Sequence, residues 1–282
     1  MIIDGTVISK SVKDELKKEV DTLKKEGIKV SLAVILVGED PASKIYVANK
    51  KRCCEELGIY SEVYELPKET KKEELLNLID VLNKRDEISG ILCQLPLPSA
   101  IDENDVIEAI DKSKDVDAFS PYNVGLIMTG NYDFLPCTPA GVMEMLKYEK
   151  ISVSGKNCVV IGRSNIVGKP MAMLLLHANG TVTVCHSKTK DLKSITKGAD
   201  ILVSAVGKAR FVTADMVKDG AVVIDVGMNR DENGKLCGDV DFDAVSKKAS
   251  YITPVPKGVG PMTIAMLMKN TVTAAKKRGA KA

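Results

Sequence analysis

Five short apolar runs fill the second half of the chain from Asn157 onward, with helical or short connections between them. The runs are CVVIG, TVTVCH, DILVSAVG, AVVIDVG and YITPVP. Strands that alternate with helices are typical of parallel sheets, because each crossover needs a long connection. The pattern predicts a doubly wound, Rossmann-type parallel sheet, which binds its ligand at the carboxyl ends of the strands.

The first half of the chain shows the same alternation. The run VSLAVILVG is too apolar for a sheet with one solvated face, so we expect a strand buried on both faces. Asp40 and Pro41 are typical of a helix N-cap and first helical residue, and Gly58 is typical of a helix end. Residues 114–140 interrupt the alternation, are rich in turn residues, and are predicted to form a connecting segment with a functional role. The predicted fold class is α/β.

Charge and composition exclude several classes of protein. The formal net charge is only +2, so no basic field suited to nucleic acid is present. No apolar run approaches the roughly 20 residues of a membrane span, and the first residues lack the apolar core of a signal peptide. Seven cysteines without a C-x-x-C pair are expected to be reduced and mostly buried, which is typical of a cytoplasmic protein. Only two histidines occur, without metal-ligand spacing, so we expect no metal site.

The segment VVIGRSNIVGKPM joins the first of the five strands to the next helix. Gly162 follows the strand, Gly168 lies six residues further on, and Pro170 fits the first helical turn. Helix N-terminal N–H groups favour anions, so a pyrophosphate is expected here. The loop is longer than the usual G-x-G-x-x-G, and Arg163 and Ser164 help to fill it. Two glycines between a strand and a helix can be only a tight turn; the surrounding five strands favour a dinucleotide site.

The end of the second strand predicts which dinucleotide binds. An NAD site usually carries an Asp or Glu about 20 residues after the glycine loop, to bind the ribose 2′-hydroxyl. Here the strand ends in HSKT, which contains no acid. His186, Ser187 and Lys188 suit a 2′-phosphate instead, and Arg163 offers a planar fork that can pair with it. An ordinary polar strand end would look similar, but together with the loop these residues favour NADP.

A second group of polar residues lies in the first half of the chain. Ser43, Tyr46 and Lys50 follow one another at i, i+3 and i+7, so they share one face of a helix. Such spacing alone is explained as well by packing. A lysine between apolar walls and a tyrosine could have a lowered pKa and act as a general acid or base. Further polar residues expected at the same edge of the sheet are Gln94, Asp115 and Asp117.

Nine blocks, in order along nearly the whole chain, resemble the bifunctional methylenetetrahydrofolate dehydrogenase/methenyltetrahydrofolate cyclohydrolase family. The blocks are SKIYVANKK, ILCQLPLP, KDVDAF, PCTPAG, GRSNIVGKPM, VTVCHSKT, DVGMN, GDVDF and TPVPKGVGPMTIAMLM. The resemblance implies an NADP-dependent oxidation of 5,10-methylenetetrahydrofolate to 5,10-methenyltetrahydrofolate, followed by hydrolysis to 10-formyltetrahydrofolate. Tetrahydrofolate one-carbon derivatives are then the partners, in one-carbon metabolism that includes purine biosynthesis.

The resemblance also implies an architecture. It implies two α/β domains flanking a cleft, with residues 1–138 plus 265–282 as the folate-binding catalytic domain and residues 139–264 as the NADP-binding Rossmann domain. The C-terminal helix is expected to rejoin the first domain. Family members are usually homodimers, and no nucleic acid or membrane partner is implied.

Site residues carry over from the resemblance at matching positions. Lys50 would be the general acid/base of the cyclohydrolase, Tyr46 would position the folate ring, and Gln94 would hydrogen-bond Lys50. Asp117 would hold the amide and amino edge of the pterin. The residues that the resemblance implies in cofactor binding are Gly162, Arg163, Ser164, Ser187, Met228 and Thr263, to which the strand end adds His186, and no metal ligand is implied.

Two positions depart from the family pattern. The family commonly reads K-D-V-D-G and P-G-G-V-G-P, whereas this chain has Ala118 and Lys257 in place of the glycines. A positive φ at position 118 would strain an alanine by on the order of 1 kcal/mol. A lysine at position 257 could attract the glutamate tail of a folate.

Two alternatives from other classes stay open at this point. One is an NADP dehydrogenase for an amino acid or hydroxy acid, which would need a cationic clamp for the substrate carboxylate. The other is a nucleotide sensor that binds NADPH without turnover.

Overall fold

The computed structural model describes residues 1–280, which form two compact units. The three-stranded unit comprises Ser11–Cys137 and Ile264–Ala282, and the five-stranded unit comprises Met1–Lys10 and Thr138–Thr263. Residues 281 and 282, the end of the predicted folate domain, lie outside the described residues. The predicted α/β class with two domains and parallel sheets is confirmed.

The three-stranded unit is built on a parallel sheet with the strand order β2-β1-β3. Its strands are β1 (Ser31–Val37), β2 (Tyr60–Leu66) and β3 (Gly90–Cys93). Its helices are the greater part of α1 (Gly5–Lys25) and all of α2 (Pro41–Leu57), α3 (Lys72–Lys84), α4 (Glu103–Ala109) and α5 (Pro121–Thr129). Every residue of β1 is buried, as predicted for a strand covered on both faces.

Helix α2 begins and ends where the sequence predicted. The Asp40 carboxylate accepts a hydrogen bond from the Ser43 N–H at 2.8 Å, Pro41 occupies the first turn, and Gly58 closes the helix at φ +77°. One face of the helix packs into the unit. Its buried residues are Ser43, Val47, Lys50, Cys53, Cys54 and Leu57. The amine of Lys50 is therefore carried on the core-facing side of α2.

The five-stranded unit contains a parallel sheet with the order β10-β7-β6-β4-β5, which confirms all five predicted strands. The strands are β4 (Asn157–Ile161), β5 (Thr181–Cys185), β6 (Ile201–Ser204), β7 (Val222–Asp225) and β10 (Tyr251–Ile252). A hairpin of β8 (Asn229–Arg230) and β9 (Leu236–Cys237) follows β7. The helices are α6 (Cys137–Tyr148), α7 (Gly168–His177), α8 (Leu192–Lys197), α9 (Phe242–Val245) and the start of α10 (Val259–Gly279).

Residues 1–10 and residues 264–280 each belong to a different unit from the residues next to them in the sequence. The Ile3 N–H donates to the Ile252 carbonyl at 2.9 Å, and the Ile252 N–H donates to the Met1 carbonyl at 3.0 Å. Residues 1–3 therefore lie beside β10, and residues 1–10 belong to the five-stranded unit. Residues 264–280 belong to the three-stranded unit.

Each unit has its own apolar core. In the three-stranded unit, side chains of β1 and β3 such as Ile35 and Ile91 pack against α3 and α4. In the five-stranded unit, Val159, Leu202 and Val223 from three adjacent strands form the centre of a second cluster. Among residues 1–280, no helix is long and apolar enough to cross a membrane. All seven cysteines are free thiols, and six of them are buried.

Candidate active site

A buried amine and an amide meet in the three-stranded unit. Nζ of Lys50 donates a hydrogen bond to Oε1 of Gln94 at 2.7 Å, and Lys50 is 8% exposed. Burial lowers the pKa of Lys50, since the ammonium loses hydration, while the Asp117 carboxylate acts in the opposite direction. The side chain expected from the resemblance to hydrogen-bond Lys50 is thus in contact with it.

Gln94 owes its position to the end of a strand. It follows β3, and its N–H donates to the Ile35 carbonyl at 2.8 Å. Its side-chain Nε2 donates to the Leu95 carbonyl at 2.6 Å. Because the amide nitrogen is used in this way, the amide oxygen is turned toward Lys50.

Asp117 is the acid that faces Lys50. Burial raises the pKa of Asp117 to about 6, and the positive charge of Lys50 partly offsets this rise. The carboxyl group lines a pocket with apolar walls that include Ile91, Leu95 and Phe119. An acid with this pKa changes charge near neutral pH, which is uncommon for an aspartate.

The two aspartates of the KDVDAF block have different surroundings. Asp115 accepts hydrogen bonds from the Ser120 N–H at 2.9 Å and from Nδ2 of Asn123 at 2.8 Å, so it orders the start of α5. Its backbone pairs with Ile91, which places the segment beside β3. The hydrogen bonds of Asp115 therefore stabilise the fold, and Asp117 is the aspartate that lies beside Lys50.

Two residues that contact Asp117 or its neighbour Val116 were not predicted from the sequence. Sγ of Cys137 lies 3.8 Å from Oδ1 of Asp117 and 3.6 Å from the Val116 carbonyl. Nδ2 of Asn270 donates to the carbonyls of Val116 and Leu135, each at 2.8 Å. Cys137 stands in a block that the resemblance quoted, but neither its type nor its spacing marks it, and Asn270 arrives from a helix more than a hundred residues away.

Tyr46 lies one turn before Lys50 on α2. Its side chain is half-buried, and burial raises the pKa of its hydroxyl, which therefore stays protonated at neutral pH. Tyr46 and Lys50 are four residues apart on this helix, so their Cβ atoms leave the helix on the same side.

The predicted nucleotide loop joins β4 to α7. Gly162 has φ +126°, and a Cβ there would lie 2.3 Å from the Ala205 carbonyl oxygen, so only glycine fits. A Cβ on Gly168 would lie equally close to the Gly162 carbonyl oxygen. The two glycines let the loop fold tightly across the end of the sheet, which leaves Arg163 and Ser164 exposed. This geometry fits a phosphate-bearing nucleotide.

Two backbone N–H groups at the N-terminus of α7 have their hydrogen-bond acceptor within the loop. Oγ of Ser164 accepts hydrogen bonds from the N–H groups of Val167 and Gly168, both at 3.2 Å. Ser164 therefore orders the loop, and its hydroxyl hydrogen remains available to a ligand.

The basic strand end lies next to this loop. β4 and β5 pair in register, and the Gly162 N–H donates to the Cys185 carbonyl at 2.9 Å, so His186 and Ser187 follow the neighbouring strand end. Nδ1 of His186 accepts from the Lys188 N–H at 3.1 Å, which tightens the turn, and Ser187 is exposed. Exposed hydroxyl and cationic groups at adjacent strand ends suit a 2′-phosphate.

The remaining predicted cofactor residues lie elsewhere in the five-stranded unit. Met228 is half exposed and follows β7 at the same edge of the sheet. Oγ1 of Thr263, in the second turn of α10, lies 3.0 Å from Oγ1 of Thr138.

Both departures from the family glycines have a positive φ. Ala118 has φ +57° and Lys257 has φ +79°. The strain that the sequence predicted conditionally for Ala118 is thus present at both positions, at about 1–2 kcal/mol each.

Family models match both units. The catalytic domain model of the tetrahydrofolate dehydrogenase/cyclohydrolase family matches residues 3–117, and its NAD(P)-binding domain model matches residues 136–279. The first match contains Lys50, Gln94 and Asp117, and the second contains the loop from Gly162 to Gly168.

Relatives match over nearly the full length. The bifunctional protein FolD of Lachnoclostridium phytofermentans is 65% identical over 277 residues, which cover 98% of each chain. The crystal structure of the bifunctional FolD methylenetetrahydrofolate dehydrogenase/cyclohydrolase of Campylobacter jejuni has a TM-score of 0.97 at 54% identity, covering 99% of each chain. A Trypanosoma brucei enzyme of the same description, complexed with NADP cofactor and inhibitor, has a TM-score of 0.95 at 39% identity, covering 100% of this chain and 99% of that one.

Proposed function

The chain belongs to the tetrahydrofolate dehydrogenase/cyclohydrolase family, and on that premise we propose how its residues carry out the two reactions. The enzyme oxidises 5,10-methylenetetrahydrofolate with NADP and hydrolyses the resulting 5,10-methenyltetrahydrofolate to 10-formyltetrahydrofolate. The observation that carries the proposal is the buried Lys50 amine, which donates a hydrogen bond to Gln94 and lies close to Asp117.

In the oxidation, the residues of the chain position the two reactants. Bound NADP supplies the hydride acceptor. The methylene carbon between N5 and N10 loses a hydride and becomes an amidinium-like cation, so no side chain has to remove a proton. We therefore assign this step to orientation of the folate and the nucleotide, without a general base.

In the hydrolysis, a proton has to move, and Lys50 is the group assigned to move it. Water attacks the methenyl carbon, and neutral Lys50 accepts one proton from the water, which leaves a hydroxyl group on that carbon. Lys50 then gives this proton to N5 as the bond from the carbon to N5 breaks. The hydroxyl group loses its remaining proton to solvent as the C=O bond of the formyl group forms, and the formyl group stays on N10. A lysine at its ordinary pKa of about 10.4 would be almost fully protonated at pH 7, so this role requires the lowered pKa that burial gives Lys50.

Gln94, Asp117 and Tyr46 are assigned the supporting roles. The Gln94 amide oxygen holds the Lys50 amine in one position. The Asp117 carboxylate accepts hydrogen bonds from the amide and amino edge of the pterin, and Tyr46 positions the ring. Asp117 must be ionised to accept both bonds.

The nucleotide is assigned to the carboxyl edge of the five-stranded sheet. The tight Gly162 turn brings the phosphates close to the backbone, and Ser164 donates its hydroxyl hydrogen. Arg163, His186 and Ser187 hold the 2′-phosphate, since the strand end carries no acid that would repel it. Met228 and Thr263 are assigned to the nicotinamide half.

Assembly and cellular role are proposed from the family alone. We assign a cytoplasmic homodimer that acts without nucleic acid or membrane and supplies one-carbon units for purine biosynthesis. Light scattering coupled to size-exclusion chromatography would give about twice the chain mass of 30.4 kDa for a homodimer, and a mass near 30.4 kDa would contradict it.

One absorbance assay tests the function. With methylenetetrahydrofolate and NADP, the NADPH and methenyl bands should rise together, and the methenyl band should then decay while the NADPH band stays. A rise without decay would contradict the hydrolysis. NADPH binding without any turnover would indicate a sensor, and turnover of a hydroxy acid or amino acid instead would indicate a different dehydrogenase.

A further inference from the structure

Two carboxylates without an assigned catalytic or cofactor contact lie buried in the five-stranded unit. Asp225 ends β7 and is 3% exposed, and Asp239 follows β9 and is 0% exposed. Burying a carboxylate costs free energy unless hydrogen bonds replace its hydration. The partners of these two groups therefore show which parts of the chain they hold.

Asp225 ties its own strand end to a segment that is distant in sequence. Its Oδ1 accepts from the N–H groups of Gly227 and Asp239, and its Oδ2 accepts from the Val240 N–H, each at 2.9 Å. Its own N–H donates to Oγ1 of Thr253, just after β10, at 2.7 Å. Asp225 therefore fixes the position of Asp239.

Asp239 in turn holds the loop that follows β6. Its Oδ2 accepts from the N–H groups of Val206 at 2.7 Å and Gly207 at 3.3 Å, and its Oδ1 accepts from the Lys208 N–H at 2.9 Å. The hydroxyl of Ser204, the last residue of β6, donates to Oδ2 at 3.2 Å. Three consecutive N–H groups form the kind of concavity that binds anions, and here a side chain of the same unit fills it.

Asp239 also holds the loop that follows β7. Its Oδ1 accepts from Nδ2 of Asn229 at 2.9 Å. A Cβ on Gly227 would lie 2.2 Å from the same oxygen, so the close approach requires glycine there. Met228, assigned above to the cofactor, lies between Gly227 and Asn229 in the chain. The contacts of these two neighbours with Asp239 therefore fix the position of its backbone.

We propose that Asp239 and Asn229 are positioning residues for NADP. Through the hydrogen bond between them, the loops after β6 and β7 are held in one arrangement at the edge of the sheet where the nucleotide binds. Loops that are ordered before binding lose less conformational entropy on binding, so the network favours NADP affinity. This inference rests on the proposed function, because it takes NADP as the ligand of that edge.

The test removes one bond of the network at a time in the full-length chain. Asn229→Ala leaves the four other hydrogen bonds to Asp239 in place, so the unit should fold. The Kd of NADPH, measured by titration calorimetry, and the KM of NADP should each rise roughly tenfold. The kcat of the cyclohydrolase, measured on methenyltetrahydrofolate without NADP, should not change.

Ser204→Ala separates positioning from direct contact. Ser204 is 0% exposed, so its hydroxyl cannot touch the nucleotide, and a several-fold rise in the Kd of NADPH would have to act through Asp239. A rise with Asn229→Ala but none with Ser204→Ala would show Asn229 to be a direct contact and would overturn the inference.

Asn157→Ala is the matched control. Nδ2 of Asn157 donates to the Gly198 carbonyl at 2.7 Å, in the same unit but at the amino end of β4. This variant should leave the Kd of NADPH unchanged. Equal effects of Asn157→Ala and Asn229→Ala would overturn the inference. Failure of the wild-type chain to reduce NADP with methylenetetrahydrofolate would contradict only the proposed function, since the calorimetry uses no folate.

Discussion

The amine of Lys50 donates a 2.7 Å hydrogen bond to the amide oxygen of Gln94, and this pair is held between a helix and a strand end. Two effects on the amine oppose each other. The amide oxygen and the Asp117 carboxylate favour the ammonium, whereas burial at 8% exposure disfavours it. Burial is the larger effect, so the pKa of Lys50 lies below its ordinary value.

Replacing Lys50 should separate the two activities. Lys50→Met keeps a similar volume but cannot carry a proton, so cyclohydrolase kcat should fall about 100- to 10,000-fold. Hydride transfer needs no proton from this side chain and should stay within about tenfold of the wild-type rate. Removal of the cation raises the pKa of Asp117 further, so both rates should be measured at about pH 8.

The neighbouring Lys51 provides the control for this substitution. It lies on the exposed side of the same helix, so Lys51→Met should leave both rates unchanged. Equal loss of both activities in a folded Lys50→Met protein would contradict a step-specific role.

Gln94→Glu should shift the pH profile of the cyclohydrolase to higher pH. A carboxylate beside the amine favours the ammonium and raises the pKa of Lys50. Neutral Lys50 then forms only at higher pH, so the pH at which cyclohydrolase kcat/KM rises should be higher than in the wild type. Gln94→Met removes the acceptor without adding charge and should shift the profile the other way. Shifts in the same direction would show that the amide does not act through the lysine.

Folate binding should weaken as the pH falls through about 6, the pKa of Asp117. The carboxylate accepts two hydrogen bonds from the pterin, and protonation removes one of these acceptors. One pH unit below the pKa, the KM for methylenetetrahydrofolate should be about tenfold higher than at pH 8. The dehydrogenase rate is the proper measurement, because it does not depend on proton transfer by Lys50.

Asp117→Asn checks the assignment of this pH dependence. An asparagine does not titrate and supplies only one acceptor, so the KM should be high and nearly independent of pH between 5 and 8. A pH dependence that survives in this variant would assign it to another group, such as Lys50.

Local signals predicted the elements well. Asp40, Pro41 and Gly58 bound α2 because capping depends on residues next to one another in the sequence. The placement of Lys50 on the same helix face as Ser43 follows from their helical spacing. The five strands of the second sheet were also readable, since apolar runs bounded by turns carry their own pattern.

Contacts between segments that are distant in the sequence could not be predicted from such local signals. The pairing of residues 1–3 with β10 depends on backbone hydrogen bonds, which any sequence can make, so the residue types do not indicate it. The contact of Asn270 with Val116 joins residues 154 positions apart, and nothing in either residue type indicates it. The hydrogen bond from the Asp239 N–H to the Asp225 carboxylate is hidden for the same reason, although both residues lie in blocks of the family pattern, DVGMN and GDVDF.

Arg163→Ala should weaken NADP binding and reduce the preference for NADP over NAD. Its guanidinium is exposed in the loop beside the β5 strand end, where a 2′-phosphate is expected. Loss of a charge-assisted hydrogen bond is worth about 1.5–3 kcal/mol, so the KM of NADP should rise at least about tenfold while that of NAD changes little. Lys197→Ala, an exposed cation at the end of α8, should change neither KM. An equal rise for both dinucleotides would contradict a 2′-phosphate contact.

Lys257→Gly should stabilise the protein. Lys257 is exposed at φ +79°, a conformation that costs a residue with a Cβ about 1–2 kcal/mol, and glycine removes that cost. Glycine also makes the unfolded chain more flexible, which costs about 0.4–1 kcal/mol, so the net gain should be about 0.5–1 kcal/mol. The measurement is the thermal unfolding midpoint by circular dichroism, since the chain contains no tryptophan for fluorescence. Lys257→Ala keeps the Cβ and the strain while removing the charge, so its midpoint should match that of the wild type. A gain with alanine equal to that with glycine would assign the effect to the charge, and would contradict the strain.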